Sequence, residues 1–159
     1  MENILDIINW RKLDEMTTLS GQPTENELRL IRDSGASHII NLAPHNNKGA
    51  LADEAGCVAS LGMEYINIPV DFENPTDSNF ESFCDVIQGL IGKQIHVHCI
   101  YNARVTAFYY RYALEGRGGS EEAAYKLMDS VWRPGGVWAA FIGRQDSVDL
   151  PNKYSGEDY

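Results

Sequence analysis

The chain has 159 residues, 43% of them hydrophobic, enough for one ordinary domain with a real core. Its 23 Asp and Glu against 13 Lys and Arg give a formal net charge of −10. That charge repels a nucleic-acid backbone over most of the surface and argues against such a partner, while a small anion held by a few local groups stays open. No apolar run reaches the roughly 18 residues needed to span a bilayer, so no membrane partner is expected. The opening "MENILDIINWRK" lacks the basic-then-apolar order of a secretory leader. The expectation is a soluble cytoplasmic protein, or a periplasmic one if a leader has been removed.

In chain order, residues 2 to 9 read as a helix. "TTLSGQPTENELRLIRDSG" follows as a short extended piece, a turn and a helix start, with Thr24 and Glu27 spaced as a capping box and Gly35 as the stop. "SHIINL" reads as a buried strand, "ALADEAGCVASLG" as a helix and "EYINIPV" as another strand. Next come the polar loop "DFENPTDS", the helical "NFESFCDVIQGLIG" with Asp77 or Ser78 as its cap, and the strand "QIHVHC". Strand and helix signals alternate, which predicts an α/β fold: a central, mostly parallel sheet of four to five strands flanked by helices, with ligands beyond the carboxyl ends of the strands. From Arg104 the signal is helical over 104–115, over "SEEAAYKLMDSVW" with Ser120 as cap, and after "RPGG", where Trp132, Trp138 and Phe141 read as core or lid packing. The tail "VDLPNKYSGEDY" reads as a peripheral or frayed end.

Cys57, Cys84 and Cys99 are an odd number with no C-x-x-C pair, which argues against a disulfide framework or a zinc knuckle. Cys57 and Cys84 read as small core hydrophobes. His38, His45, His96 and His98 show no metal-ligand spacing, and "GRGG" at 116–119 is a helix-ending turn rather than a dinucleotide motif. No metal and no cofactor is expected. Cys99 differs in its place, at the carboxyl end of a strand whose next residues turn into a helix near Arg104. Backbone N–H groups in such a turn, with the positive end of the helix dipole, make an anion cradle. The same field stabilises a thiolate, with cysteine pKa values of about 3.5 to 7.5 known at helix N-termini or beside cations. Arg104 adds a planar fork able to hold two oxygens of a phosphate-like group. A Cys and an Arg five apart also occur by chance, and a cysteine at a strand end is often plain filler.

"VHC", a short loop, an arginine and a helix resemble the phosphate-binding loop of the cysteine-dependent protein tyrosine phosphatases, written there as H-C, five residues, R, then S or T. More broadly, "LSGQPTENELRLIRDSGASHIINLAP", "GMEYINIPVD" and "VHCIYNARVTAF" resemble the bacterial tyrosine-phosphatase-like family related to the amino-terminal domain of beta-lactamase-hydrolase-like proteins. The resemblance spans about residues 17–145 and implies one phosphatase-like domain over 1–159. It implies that Cys99 attacks phosphorus and forms a phosphocysteine, and that Arg104 and the amides of Ile100, Tyr101, Asn102, Ala103 and Arg104 bind the transferring group. His98 would orient the loop and help keep Cys99 ionised, and His96, two residues back, would be structural. Asp71, after "NIPV", would be the acid for the leaving oxygen, with Glu73 and Asp77 behind it.

Departures matter too. Four residues, not five, separate Cys99 from Arg104, so the cradle lacks one amide. The position commonly glycine is Asn102, a residue that tolerates positive φ. The hydroxyl expected directly after the arginine is Val105, leaving Thr106 as the substitute and slow turnover as the expectation. His45 and Asn46, after "NLAP", are candidates for the pocket rim. The partner is a phosphorylated substrate or phosphate-like anion, and two other readings stay open: a non-catalytic phosphate- or phosphoprotein-binding module, and a rhodanese-like sulfurtransferase, whose cysteine loop is commonly the shorter kind. Oligomeric state is not legible.

Overall fold

Parallel strands joined through helices bury both faces of a sheet, and the hydrophobic runs of this chain are arranged to do so. The computed structural model describes residues 2–154, 157 and 158. Strands β1 (Arg11–Asp14), β2 (Thr17–Ser20), β3 (His38–Asn41), β4 (Glu64–Asn67) and β5 (Ile95–His98) form one sheet in the order β1-β2-β5-β3-β4. All neighbours are parallel except the β1–β2 hairpin at the edge. β5 is therefore central, with His98 opposite Ser20 on one side and Asn41 on the other.

Helices α1 (Glu25–Asp33) and α2 (Glu54–Ser60) cover one face; Leu28, Ile31 and Val58 pack there with Ile39 and Met63. Helices α3 (Asp77–Gly89), α4 (Ala103–Leu114), α5 (Glu121–Asp129) and α6 (Gly136–Phe141) belong to the larger second cluster, where Phe80, Phe83, Phe108 and Trp138 meet Leu19, Ile40 and Val97. Each such side chain stabilises the fold by about 1.5–3 kcal/mol through burial. Alternation along β5 sends Val97 into that cluster and puts His96 and His98 on the other face, where Trp10 stacks on His96 at 5.1 Å.

Several elements differ from the sequence reading. Residues 2–9 hold only a 3-10 turn, Ile4–Asp6: Ile7 is buried but Leu5 and Ile8 are exposed, so no continuous apolar stripe exists, and Asn9 turns the chain at φ 48°. β1 was not legible because "RKLD" carries one apolar residue. α2 starts only at Glu54, after an Asp53 cap at φ 49°. α3 is capped by Thr76, which accepts from Asn79 N–H while the Asn79 side chain accepts from Thr76 N–H, so neither Asp77 nor Ser78 is the cap. The tail is not frayed where it is described. β6 (Trp132–Arg133) pairs with β7 (Lys153–Tyr154), which pairs with β8 (Glu157–Asp158). Tyr154 stacks on Trp132 at 5.3 Å and meets Tyr101 edge-on at 5.2 Å. Residues 155, 156 and 159 of that tail lie outside the described residues.

Candidate active site

Between His98 and Ala103 the chain leaves the sheet and enters α4, and each peptide of this turn is held by its carbonyl. His98 Nδ1 lies 2.9 Å from Cys99 O; Gln22 N–H donates to Ile100 O at 3.1 Å. Asn9 Nδ2 donates to Tyr101 O at 2.9 Å, and Thr106 N–H and hydroxyl reach Asn102 O at 3.2 and 2.9 Å. A trans peptide points its N–H opposite to its C=O, so four outward carbonyls turn the amides of Ile100, Tyr101, Asn102 and Ala103 the other way, toward the inside of the turn. Asn102, the N-cap of α4, sits at φ 73°, ψ 9°, and its side chain donates back to Asn9 O at 2.8 Å. Gly21 is required here, because a Cβ would lie 2.5 Å from Ile100 O.

Cys99 is 1% exposed at the start of this turn, its N–H directed to Ser20 O at 3.3 Å. Arg104, 5% exposed, donates through Nη2 to Asn47 Oδ1 at 2.7 Å and lies over the Phe72 ring at 5.3 Å. Its Nε and Nη1 are buried without a hydrogen-bond partner among the described residues. Burial pushes the guanidinium pKa down, and the charges of Cys99, Tyr154 and Asp71 oppose that shift. Buried donors left unmatched cost about 1–3 kcal/mol each, more when charged, and an anion is a group that can match them.

Asp71 is thus brought electrostatically close to Arg104 while exposed to solvent; its Oδ1 accepts from Glu73 N–H at 2.9 Å. Trp138 Nε1 donates to Phe72 O at 2.7 Å and so ties this loop to α6. Glu73 is exposed, and Asp77 pairs with Arg111 at 3.0 Å. Thr106 uses its hydroxyl on Asn102 O and Ala103 O, at 2.9 and 3.1 Å, and accepts from Trp132 Nε1 at 3.2 Å, which makes it a brace of the helix start. His45 bonds and stacks with Tyr65, and the rim residue that reaches Arg104 is Asn47 rather than Asn46.

Beneath the turn, His98 Nε2 lies 2.5 Å from Glu54 Oε2, and Gln22 Nε2 donates to Glu54 Oε1 at 2.9 Å. Glu54 is 3% exposed. Burial pulls its pKa up, but the bond and charge of His98 and the Gln22 amide outweigh it and hold the carboxyl below 4.5. His96 is braced by Thr18 and Ser20 hydroxyls, both at 2.8 Å, and burial takes its pKa well below 6.5. Asn9, Gln22, Asn47 and Glu54 were not legible as site residues: they lie 45 to 90 positions before Cys99 and carry no local motif. A cavity of about 550 Å³ lies elsewhere, beside Leu13, Ile95, Tyr109 and Leu127 at the opposite end of β5.

A central parallel strand ending in a cysteine, an outward-tied turn and an arginine-bearing helix define the tyrosine and dual-specificity phosphatase-like fold, and this chain has it. A DUF442 protein from Shewanella putrefaciens CN-32, named as a candidate phosphatase, superimposes with TM-score 0.76 at 29% identity, over 87% of this chain and 91% of that one. The catalytic core of the PP-IP phosphatase SIW14 from S. cerevisiae, in complex with citrate, gives 0.67 at 10% identity, over 86% and 84%. TpbA from P. aeruginosa, in complex with pTyr, gives 0.59 at 13%, over 92% and 81%. No protein-family model and no curated protein matches the chain. Among the described residues no helix is long and apolar enough to cross a membrane.

Proposed function

We propose that the chain is one phosphatase-like domain that hydrolyses phosphate monoesters through Cys99. The observation that carries this reading is the pair of unmatched, buried Arg104 nitrogens beside Cys99, in a turn whose four carbonyls are all bonded outward. The Cys99 sulfur attacks phosphorus, the bond from phosphorus to the ester oxygen breaks, and Asp71 gives that oxygen a proton. Water then attacks the phosphocysteine, giving its proton to Asp71, and the sulfur–phosphorus bond breaks to release inorganic phosphate. Arg104 and the amides of residues 100–104 hold the equatorial oxygens through both steps. TpbA, solved in complex with pTyr, and the PP-IP phosphatase SIW14 support pTyr and PP-IP as the first substrates to assay.

A second reading, an anion-binding module that turns over little, is favoured by one observation: the Thr106 hydroxyl is engaged by Asn102 O, Ala103 O and Trp132 rather than held ready for the phosphocysteine step. Burst kinetics with p-nitrophenyl phosphate separates the two. Steady release in the wild type and none in Cys99→Ser supports hydrolysis. A burst of one equivalent supports the stalled module, and no release from the wild type removes the phosphatase reading and returns the sulfurtransferase to consideration.

A further inference from the structure

We propose that Glu54 is a positioning residue for Cys99: it holds a second proton on the His98 ring, and the resulting imidazolium fixes the Cys99–Ile100 peptide with its N–H turned into the phosphate loop. This rests on the function proposed above and adds to it a buried charge pair that the loop motif does not contain.

The argument starts from what each atom can do. His98 Nδ1 faces the Cys99 carbonyl at 2.9 Å, and a carbonyl oxygen only accepts, so Nδ1 carries a proton. His98 Nε2 faces Glu54 Oε2 at 2.5 Å, so the bond between these two atoms contains a second proton. Glu54 also accepts from Gln22 Nε2 through its other oxygen, an arrangement suited to a carboxylate with both oxygens accepting. A neutral carboxyl would accept from Gln22 as well, but although burial raises the Glu54 pKa, the bond and charge of His98 and the Gln22 amide hold it below its ordinary value, which puts that proton on the ring. The pair is out of water, with side chains 0% and 2% exposed, where a lone charge is costly and a matched one is held firmly.

The surroundings leave this assignment standing. From β5, His96 stacks on His98 at 6.3 Å and is itself kept neutral by burial. From the loop after β3, His45 adds a favourable field at Glu54. Cys99 is the next residue, and the effect on it follows from the covalent chain: a charged donor on Cys99 O orients the first peptide of the turn more strongly than a neutral one and places positive charge one residue from the sulfur. Gln22 joins both halves, since its side chain holds Glu54 while its N–H holds Ile100 O.

The test is Glu54→Gln, which keeps the shape and a hydrogen bond to His98 but removes the charge. In the wild type at pH 7.5, nitrogen NMR should show both His98 ring nitrogens protonated; in Glu54→Gln one should lose its proton. Iodoacetamide alkylation of Cys99 at the same pH should slow by about twofold or more, with Cys57 and Cys84 unchanged. Glu54→Asp should recover part of the loss. An unprotonated nitrogen on wild-type His98 would overturn the proposal, and so would unchanged Cys99 alkylation in a folded Glu54→Gln protein. If Glu54→Gln does not fold, the wild-type spectrum alone decides. Neither readout uses phosphatase activity, so a wild type that hydrolyses no ester but shows the doubly protonated ring defeats only the proposed function.

Discussion

Cys84 and Cys99 lie in the same hydrophobic cluster, 0% and 1% exposed, and burial does not tell them apart. Cys84 sits inside α3, where the helix satisfies its own backbone, and burial pushes its thiol up to about 11. Cys99 sits where the backbone leaves the sheet, among peptides held by Asn9, Gln22, His98 and Thr106 and beside a buried arginine with donors to offer. On the function proposed here, it is the polar framework around a buried sulfur that makes a position reactive, while an apolar shell alone makes filler.

The sharpest way to break this contrast is to exchange the sulfurs for oxygen one at a time. Cys99→Ser should lower aryl phosphate hydrolysis by on the order of a thousandfold or more, whereas Cys84→Ser should leave the rate within about twofold and cost about 1–3 kcal/mol of stability by burying a hydroxyl. Rate assays with chemical unfolding read both effects, and the reverse pattern would end the comparison. Next in size is Arg104→Lys. It keeps a charge but loses the planar fork, so the rate should fall on the order of a hundredfold in a protein that still folds. Unchanged turnover would take Arg104 out of the site.

Asp71→Asn should slow phenyl phosphate hydrolysis by on the order of a hundredfold and nitrophenyl phosphate by less than about tenfold, because the better leaving group departs without a proton. A uniform loss across leaving groups would reduce Asp71 to a loop support and move attention to Glu73. A smaller effect sharpens the contrast among thiols. Cys57 is the most exposed of the three, and burial raises its pKa, so reactivity governed by access would make it label first. Iodoacetamide should instead label Cys99 about tenfold faster than Cys57 or Cys84, with phosphate protecting it; mass spectrometry of the labelled peptides reads the order.

The smallest predicted effect concerns the face of the sheet away from Cys84. His96 stays neutral when folded at a pH where the unfolded chain takes up a proton, because its folded pKa is far below 6.5. Below pH 6.5 the unfolded state therefore binds more protons, and stability falls as pH falls, at up to about 1.4 kcal/mol per pH unit from this group. Equilibrium unfolding of the wild type and of His96→Gln between pH 5 and 7 should show the steeper fall in the wild type; equal slopes would contradict it.

The sheet, the strand ending in Cys99 and the helix opening near Arg104 were legible because hydrophobic period and capping act over a few residues, and the Thr24 and Glu27 capping box forms as their spacing implies. Asn102 reaches positive φ for an equally local reason, its short polar side chain. The N-terminal helix failed because its apolar residues do not share a face. The edge strand β1 was invisible because "RKLD" carries no apolar alternation, even though its partner β2 is one hairpin turn away, and the pairing of β6 with β7 because the two strands are distant in sequence.

The sequence by itself determined which local elements form, which cysteine stands at a strand-to-helix turn, and that an arginine follows it at helix entry. Only the tertiary structure decided what surrounds that turn. Gln22 follows β2, Asn47 and Glu54 follow β3, and Asn9 precedes β1; the order β1-β2-β5-β3-β4 puts β5 between β2 and β3, so that the connections leaving those strands converge on its carboxyl end, where the turn before β1 joins them. Hydrogen bonds act across about 3 Å of space whatever the distance along the chain, so no pattern of neighbouring residues encodes them.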